Sequence, residues 1–149
     1  MTEIVINGCF GGFSLSHAGC EHYAKLKGLK IYRYFDASTK RIYGDKYRDG
    51  IAHYATKPIP GLKGDILPGD GTLFGKVTKE SKFLNKHYWT CREIERDDPA
   101  LVQTVRELGS KADGAHASLE IVGIPDGIEW EIDEYDGNEH IAEKHRTWR

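Results

Sequence analysis

The first 36 residues alternate between strand and helix patterns, and this alternation limits the chain to folds that combine both elements. Residues 3–6 are rich in β-branched side chains and predict a buried strand. A helix is then predicted to begin near Ser14 or Ser16, either of which can cap it, and to end at Gly28. Residues 31–36 predict a second strand. If the two strands are parallel neighbours, their crossover is right-handed and the intervening loop lies at the carboxyl end of the first strand.

The segment RDDPALVQTVRELG carries the clearest helix signal in the chain. Asp97 or Asp98 can cap the helix, Pro99 fits its first turn because no N–H is needed there, and Gly109 ends it. The predicted buried stripe consists of Leu101, Val102, Val105 and Leu108.

Two strands and a hairpin are predicted after that helix. Residues 119–125 and 129–135 have strand patterns, and Asp136-Gly137 is a two-residue turn signal. Counting outward from the turn places Ile132 opposite Ile141. A short helix capped by Asn138 is the alternative.

The segment from residue 57 to residue 86 has a different composition. Its first twenty residues hold three prolines and five glycines without sustained periodicity, so a long loop is predicted. This loop is either a flap over a pocket or simply mobile. A strand is predicted to resume near residues 87–89.

These patterns predict an α/β fold, with α+β as the alternative. The chain has 149 residues, about the size of one domain. We therefore expect residues 1–149 to form a single domain with a mixed sheet of about five or six strands, two main helices packed on it, and a long Gly/Pro-rich loop excursion at about 57–86.

Composition argues against a membrane protein. No apolar run is long enough to span a bilayer, and the net charge is −2. No basic cluster precedes the short apolar run at the start, so a secretory signal is not predicted. The three cysteines, Cys9, Cys20 and Cys91, show no CxxC spacing, which favours free thiols in a reducing cytoplasm.

The loop between the first strand and the first helix is the predicted ligand site. Glycines allow a ligand close to the backbone, and N–H groups at a helix start bind anions, so phosphate is the expected guest. The aromatic rings there can stack on a base, or they can pack into the core. The alternative is a purely structural turn. The candidate residues are Asn7, Gly8, Cys9, Phe10, Gly11, Gly12, Phe13, Ser14 and Ser16.

Cysteine and histidine side chains offer an alternative chemistry to ligand binding. Cys9 can act as a nucleophile if His17, His22 or His145 lies near it, whereas a small buried cysteine is the simpler interpretation. His140 and His145 do not have a metal-ligand spacing. No metal and no cofactor is predicted.

Charge is unevenly distributed along the chain. Residues 25–48 include eight basic side chains interleaved with tyrosines, which suits nucleic acid, although solvated strands explain the pattern more simply. Residues 126–143 include eight acidic side chains and no lysine or arginine, a candidate surface for a basic partner. Trp148 near the end of the chain is expected to dock on the domain.

Several long segments resemble, in order, a family of small uncharacterised proteins of tailed bacteriophages and prophages. The segments are ERDDPALVQ, EWEIDEYDG and EKHRTW, together with the opening IVINGCFGGFSLS, and the likeness covers residues 3–36 and 92–148. The resemblance implies a protein made in the cytoplasm of an infected bacterium. It also implies a role in modifying host metabolism or blunting host defence.

A second likeness is to the nucleotidylyltransferase signature. Phe13, His17 and Gly19 of GFSLSHAGCEHYAKLKG are at matching positions. However, Ser14 replaces the acidic residue of that family and Cys20 replaces its second histidine, so nucleotidyl transfer is not favoured.

The leading expectation is a phage accessory protein that binds a small phosphorylated ligand or nucleotide through the first loop, to counter host defence. One alternative is a protein-binding inhibitor of a host factor that uses charged surfaces. Another is a nucleotide-acting enzyme that uses Cys9 or a histidine. A concave pocket at residues 8–16 would favour the first, a flat apolar patch the second, and a Cys–His pair the third.

Overall fold

A computed structural model of the chain describes residues 1–36, 52–68 and 78–144. The chain divides into a first unit, made of Met1–Tyr23 and Cys91–Arg149, and a second unit, Ala24–Thr90. In chain order the described elements are β1 (Thr2–Asn7), α1 (His17–Lys27), β2 (Tyr32–Asp36), β3 (His53–Ala55), β4 (Ile66–Leu67), α2 (Lys79–Lys86), β5 (Tyr88–Trp89), α3 (Pro99–Leu108), β6 (Leu119–Ile124), β7 (Trp130–Tyr135) and β8 (Asn138–Glu143).

Helices and mixed sheets together confirm the predicted fold class, which is α+β in detail. The described strands form three sheets rather than one: β1 pairs with β6, β7 pairs with β8, and the four-stranded sheet has the order β4-β2-β3-β5. Among the pairings of the described strands, only that of β2 with β4 is parallel. None of the helices in the described ranges is both long and apolar enough to cross a bilayer.

The condition that β1 and β2 are parallel neighbours is not met. β1 is antiparallel to β6, with Ile4 opposite Val122. Its other edge is also occupied, because the Val5 N–H donates to the carbonyl of Arg96 and the Asn7 N–H donates to the carboxylate of Glu139. With both edges of β1 hydrogen-bonded, no position remains for β2.

The two predicted main helices are confirmed with their caps. Ser16, rather than Ser14, caps α1, since its hydroxyl accepts from the Gly19 N–H at 3.0 Å. Gly28 ends this helix with a φ of 69°.

In α3, Asp98 accepts from the Ala100 N–H, Pro99 is in the first turn and Gly109 is the C-cap. Leu101 and Val105 are buried as predicted, and the hydroxyl of Thr104, also buried, donates to the Ala100 carbonyl. This helix therefore contributes much of the apolar core of the first unit.

The described parts of residues 57–86 are not one continuous loop, and residues 69–77 of the predicted loop lie outside the described residues. β4 and α2 both fall within that segment. Thr78 and Ser81 form a reciprocal capping box at the start of α2, which stabilises this short helix. Leu84 on α2 packs into a core with Tyr34, Ala55, Ile59 and Leu67. β5 confirms the predicted return to strand.

The C-terminal hairpin is confirmed with its register. Ile132 lies opposite Ile141, and Asp136 and Gly137 have φ values of 50° and 85° in the turn. Positive φ at both turn residues fits a two-residue hairpin loop, so the alternative helix at Asn138 is wrong. Trp148 lies outside the described residues.

Candidate functional site

Asn7 connects the glycine loop to two other segments of the first unit. Its side chain is fully buried, and its Nδ2 donates to the carbonyls of Cys9 at 2.8 Å and of Gly137 at 2.7 Å. Its Oδ1 accepts from the Ser118 N–H at 2.8 Å. Asn7, which is one of the predicted ligand-binding residues, therefore connects the glycine loop, the hairpin turn and the residue that precedes β6.

Backbone packs against backbone at the glycines of the loop. A Cβ at Gly11 would overlap the carbonyl oxygen of His116, and a Cβ at Gly137 would overlap the backbone nitrogen of Gly12. A Cβ at Gly8 would meet only the flexible carboxylate of Glu120. Gly12 itself has open space around its Cβ position but a φ of 94°. Gly11 and Gly137 are thus required by close approach, and Gly12 by its conformation.

Alanine substitutions at Gly11 and Gly12 should separate the requirement for close backbone packing from the requirement for a positive φ. We expect Gly11→Ala to lower the melting temperature by several degrees, because the carbonyl of His116 must move. Gly12→Ala has free space and should cost only the strain of a positive φ, about 1 kcal/mol. Thermal melts of both variants provide the measurement, and equal losses would contradict the close packing at Gly11.

The serine predicted to cap the helix is already used by the fold. The Ser16 hydroxyl donates to the carbonyl of Lys111 at 2.6 Å while it accepts from Gly19. The Ser14 carbonyl accepts from the Gly114 N–H at 3.0 Å. The single O–H donor of Ser16 is therefore already used within the protein. An anion would need that donor in order to bind the hydroxyl.

Phe13 lies beneath a partly buried ion pair that the sequence did not reveal. Its ring is buried, and the guanidinium of Arg96 stacks on it with Cζ 3.6 Å from the ring centroid. Arg96 also donates to both carboxylate oxygens of Glu139, at 2.7 and 2.8 Å, and to the carbonyl of Val5. Phe13 thus packs in the interior and is not offered to a ligand.

Glu139 belongs to the acidic stretch at residues 126–143, but most of its side chain is buried. Its side chain is only 9% exposed. Burial raises the pKa of Glu139, but hydrogen bonds from Arg96 and from the Asn7 N–H, with the charge of Arg96, outweigh burial and hold the pKa below its ordinary value. A strand alternates its faces, so the position of Glu139 two residues before Ile141 was the available signal for an inward side chain.

Two aromatic side chains of the same region remain on the surface. Phe10 in the loop is 67% exposed and Tyr135 at the end of β7 is 78% exposed. Their rings meet edge to face, with centroids 6.4 Å apart and an interplanar angle of 82°. The fold brings them together because Asn7 binds the carbonyl of Gly137 next to the hairpin turn.

The outward face of the hairpin continues from this aromatic pair as a row of polar side chains. Glu131 and Asp133 lie on the same side of β7 as Tyr135, and all three are exposed. His140 lies opposite Asp133 on β8, with 3.6 Å between its Nε2 and the carboxylate. We call Phe10, Glu131, Asp133, Tyr135 and His140 the acidic-aromatic face.

Cys9 contacts backbone and amide groups instead of a base. Its thiol donates to the His116 carbonyl at 3.3 Å and to Oδ1 of Asn7 at 3.4 Å. His17 and His22 each contact a carboxylate, at 2.8 and 2.7 Å respectively. His145 lies outside the described residues. Within the described ranges, no Cys–His pair forms at this loop, and no three metal-ligating side chains are grouped together.

A surface cavity of about 480 Å³ lies elsewhere in the first unit. Its lining includes Pro99 and Val102 of α3 and the charged side chains of Glu3 and Arg106, which form an ion pair. The N-terminal ammonium at its edge is bound to Asp126 at 2.9 Å. The charged groups of this cavity are therefore largely neutralised by one another, and it shares no residue with the predicted loop.

Comparisons with protein families, with curated proteins and with solved structures find no match to this chain. A functional conclusion therefore depends on the geometry of the chain itself.

Proposed function

We propose that this protein acts by binding a basic protein partner through the acidic-aromatic face. The observation that carries the proposal is the exposed edge-to-face pair of Phe10 and Tyr135 beside the carboxylates of Glu131 and Asp133. Two large aromatic rings left in water at one spot are unfavourable unless a partner covers them.

The chemistry of the face suits protein recognition. Aromatic side chains provide large, rigid contact area at low entropic cost and are enriched at the centres of interfaces. The neighbouring carboxylates would steer a basic surface toward the aromatic pair and repel acidic proteins. The contacts beneath the acidic-aromatic face also support this role. Asn7 and the Arg96–Glu139 pair hold the glycine loop and the β7–β8 hairpin in place.

The same contacts weigh against a phosphorylated ligand as the leading proposal. Ser16 and Phe13 are engaged inside the fold, and Gly11 packs directly against the backbone at His116. The carboxylates of the hairpin would also repel an anion. Ligand binding at the loop and an enzyme based on Cys9 both stay predictions.

The resemblance to phage proteins makes a bacterial host protein the expected partner. A phage product that inhibits a host factor needs only to cover a surface of that factor and does not need a catalytic site. We therefore expect a stoichiometric inhibitor whose affinity falls as salt is raised, since charges at the rim of the face are screened.

Capture from a bacterial lysate by the immobilised protein, followed by mass spectrometry, tests the proposal. We expect the parent to capture a small set of proteins with basic surfaces at low salt. The Tyr135→Ala and Glu131→Lys variants should both fail to capture this set. Matched controls are Tyr88→Ala, an aromatic that is 49% exposed in the second unit, and Glu95→Lys, exposed in the first unit. Both controls should keep the captured set.

Two results would contradict the proposal. In one, the face variants capture the same proteins as the parent. In the other, millimolar nucleotide or phosphate raises the melting temperature of the parent while the lysate yields nothing specific. The second result would restore the loop as a ligand site.

A further inference from the structure

The outer edge of β7 is an unpaired strand edge. On its other side, all six residues of β7 pair with β8, as far as Tyr135 opposite Asn138 beside the turn. Among the described strands, none other than β8 pairs with β7. A strand with one unpaired edge presents a row of backbone N–H and C=O groups to which a further strand can bond.

The turn of the hairpin determines which backbone groups point to this edge. A two-residue loop places its flanking pair, Tyr135 and Asn138, at a hydrogen-bonded position, and successive residues then alternate between the two edges. The Lys144 N–H donates to the Glu129 carbonyl at 2.8 Å, which confirms this alternation at the far end of the hairpin. Three residues therefore direct their N–H and C=O groups away from β8, and within the described ranges no hydrogen bond reaches those groups. They are Trp130, Ile132 and Glu134.

The side chains beside this edge differ between the two faces of the strand. Glu131 and Asp133 are exposed on the outward face. Trp130 and Ile132 are half-buried on the opposite face. A strand added at this edge would therefore have carboxylates beside it on one face and apolar side chains beside it on the other.

We propose that the partner adds an extended segment to β7 as an antiparallel strand in which lysine or arginine alternates with apolar residues. The outward N–H and C=O groups of β7 provide the hydrogen bonds, and the alternating side chains provide the selectivity. The basic side chains lie opposite Glu131 and Asp133, and the apolar ones lie beside Ile132. This inference rests on the proposed binding function, because the same two carboxylates belong to the acidic-aromatic face.

The charge of β7 argues against a second copy of the chain as the added strand. β7 contains Glu131, Asp133 and Glu134 and no basic residue. Two copies of this strand side by side would bring carboxylates together, which is unfavourable, and charged side chains are one means by which proteins protect an edge from self-pairing. A segment with alternating basic residues has the complementary charge.

Amide hydrogen exchange tests strand addition at single residues. The probe is a peptide of about eight residues with blocked ends, in which lysine alternates with valine. Exchange in the parent protein is followed by NMR at low salt, with and without the peptide. We expect exchange at Trp130, Ile132 and Glu134 to slow about tenfold or more at saturating peptide. The alternate amides of β7, which already bond to β8, should not change.

Two changes to the peptide separate strand addition from general charge attraction. N-methylation of the valine amides, which face β7 in the proposed pairing, should abolish the protection. N-methylation of the lysine amides, which face away from β7, should leave it intact. A peptide of the same composition with its lysines grouped together should bind about tenfold more weakly, because the basic side chains no longer match the two carboxylates.

Charge reversal on the protein provides the matched test. The double variant Glu131→Lys, Asp133→Lys should weaken binding of the alternating peptide about tenfold or more, since attraction becomes repulsion. Glu95→Lys, at an exposed position outside β7, should bind the peptide like the parent.

Three results would overturn strand addition. The first is no binding of the alternating peptide at millimolar concentration. The second is binding without alternating protection, or protection that survives N-methylation of the valines. The third is slow exchange at Trp130, Ile132 and Glu134 in the free protein, which would mean that the chain itself or a second copy occupies the edge. Lysate capture that depends on Tyr135 would still support the acidic-aromatic face in each case, so the two proposals can fail separately.

Discussion

Leu101→Asp should eliminate the folded state of the first unit. Leu101 is fully buried on α3, and its side chain has no access to water. Burying a carboxylate without a partner costs several kcal/mol, about as much as the whole stability of a typical domain, ~5–15 kcal/mol. Circular dichroism should show loss of the cooperative thermal transition at neutral pH.

The same substitution on the outer face of α3 is the control. Gln103 is exposed, so Gln103→Asp should lose its hydrogen bond to Glu107, add a weak repulsion from that carboxylate, and still melt within a few degrees of the parent. Val105→Asp, on the buried face, should behave like Leu101→Asp. A parent-like melt for Leu101→Asp would show that the assigned buried face of α3 is wrong.

Local signals explain why α3 and the hairpin could be predicted from the sequence. A capping aspartate, a proline in the first turn and a terminal glycine define a helix within a dozen residues, and each acts through the nearest backbone groups. Asp136-Gly137 similarly fixes the register of β7 and β8, because both residues must adopt positive φ. No distant contact is needed for either prediction.

The pairing partner of each strand could not be predicted from such local signals. β1 pairs with β6, which lies more than a hundred residues away, and strand patterns carry no information about which partner is chosen. α2 is hard to predict because it has only eight residues and follows a segment rich in glycine and proline. Its capping box, with Glu80 in the first turn and Lys86 in the last, was the available local signal.

The candidate site also combines features that local sequence predicts with features that depend on distant contacts. The sequence identified the loop at residues 7–16 as unusual, and the structure shows that most of its special residues serve packing instead of exposure. Phe10 is the exception, since it is exposed beside Tyr135. That pairing, and the contact of Glu139 with Arg96, join residues from distant parts of the chain and could not be predicted without the fold.

Arg96→Met should destabilise the first unit strongly, although less than Leu101→Asp. Methionine preserves much of the side-chain volume but leaves the buried carboxylate of Glu139 without its cation. Removing one partner of a fully buried ion pair typically costs about 3–5 kcal/mol, and this pair is only partly buried, so we expect a loss toward the lower end of that range. Denaturant unfolding of the first unit should show this loss, together with the loss of the contact on Phe13.

A double variant separates the two contributions. Arg96→Met combined with Glu139→Gln removes the uncompensated charge, so it should recover a large part of the lost stability, and the remainder reports the packing on Phe13. If the double variant is no more stable than Arg96→Met alone, the cost does not come from an unpaired carboxylate.

Acid titration provides an independent measure of the same pair. The pKa of Glu139 is lower in the folded protein than its ordinary value, so its ionised form favours folding. That contribution is complete above the ordinary pKa of a glutamate, about 4.3, and is lost as the pH falls through the lower pKa of the folded state. The stability difference between the parent and Glu139→Gln should therefore be large at pH 7 and shrink progressively below about pH 4. The control is Glu143→Gln, which is exposed on the same strand and should differ little in stability from the parent at either pH. A stability difference for Glu139→Gln that stays constant across this pH range would mean that Arg96 does not hold the charge of Glu139.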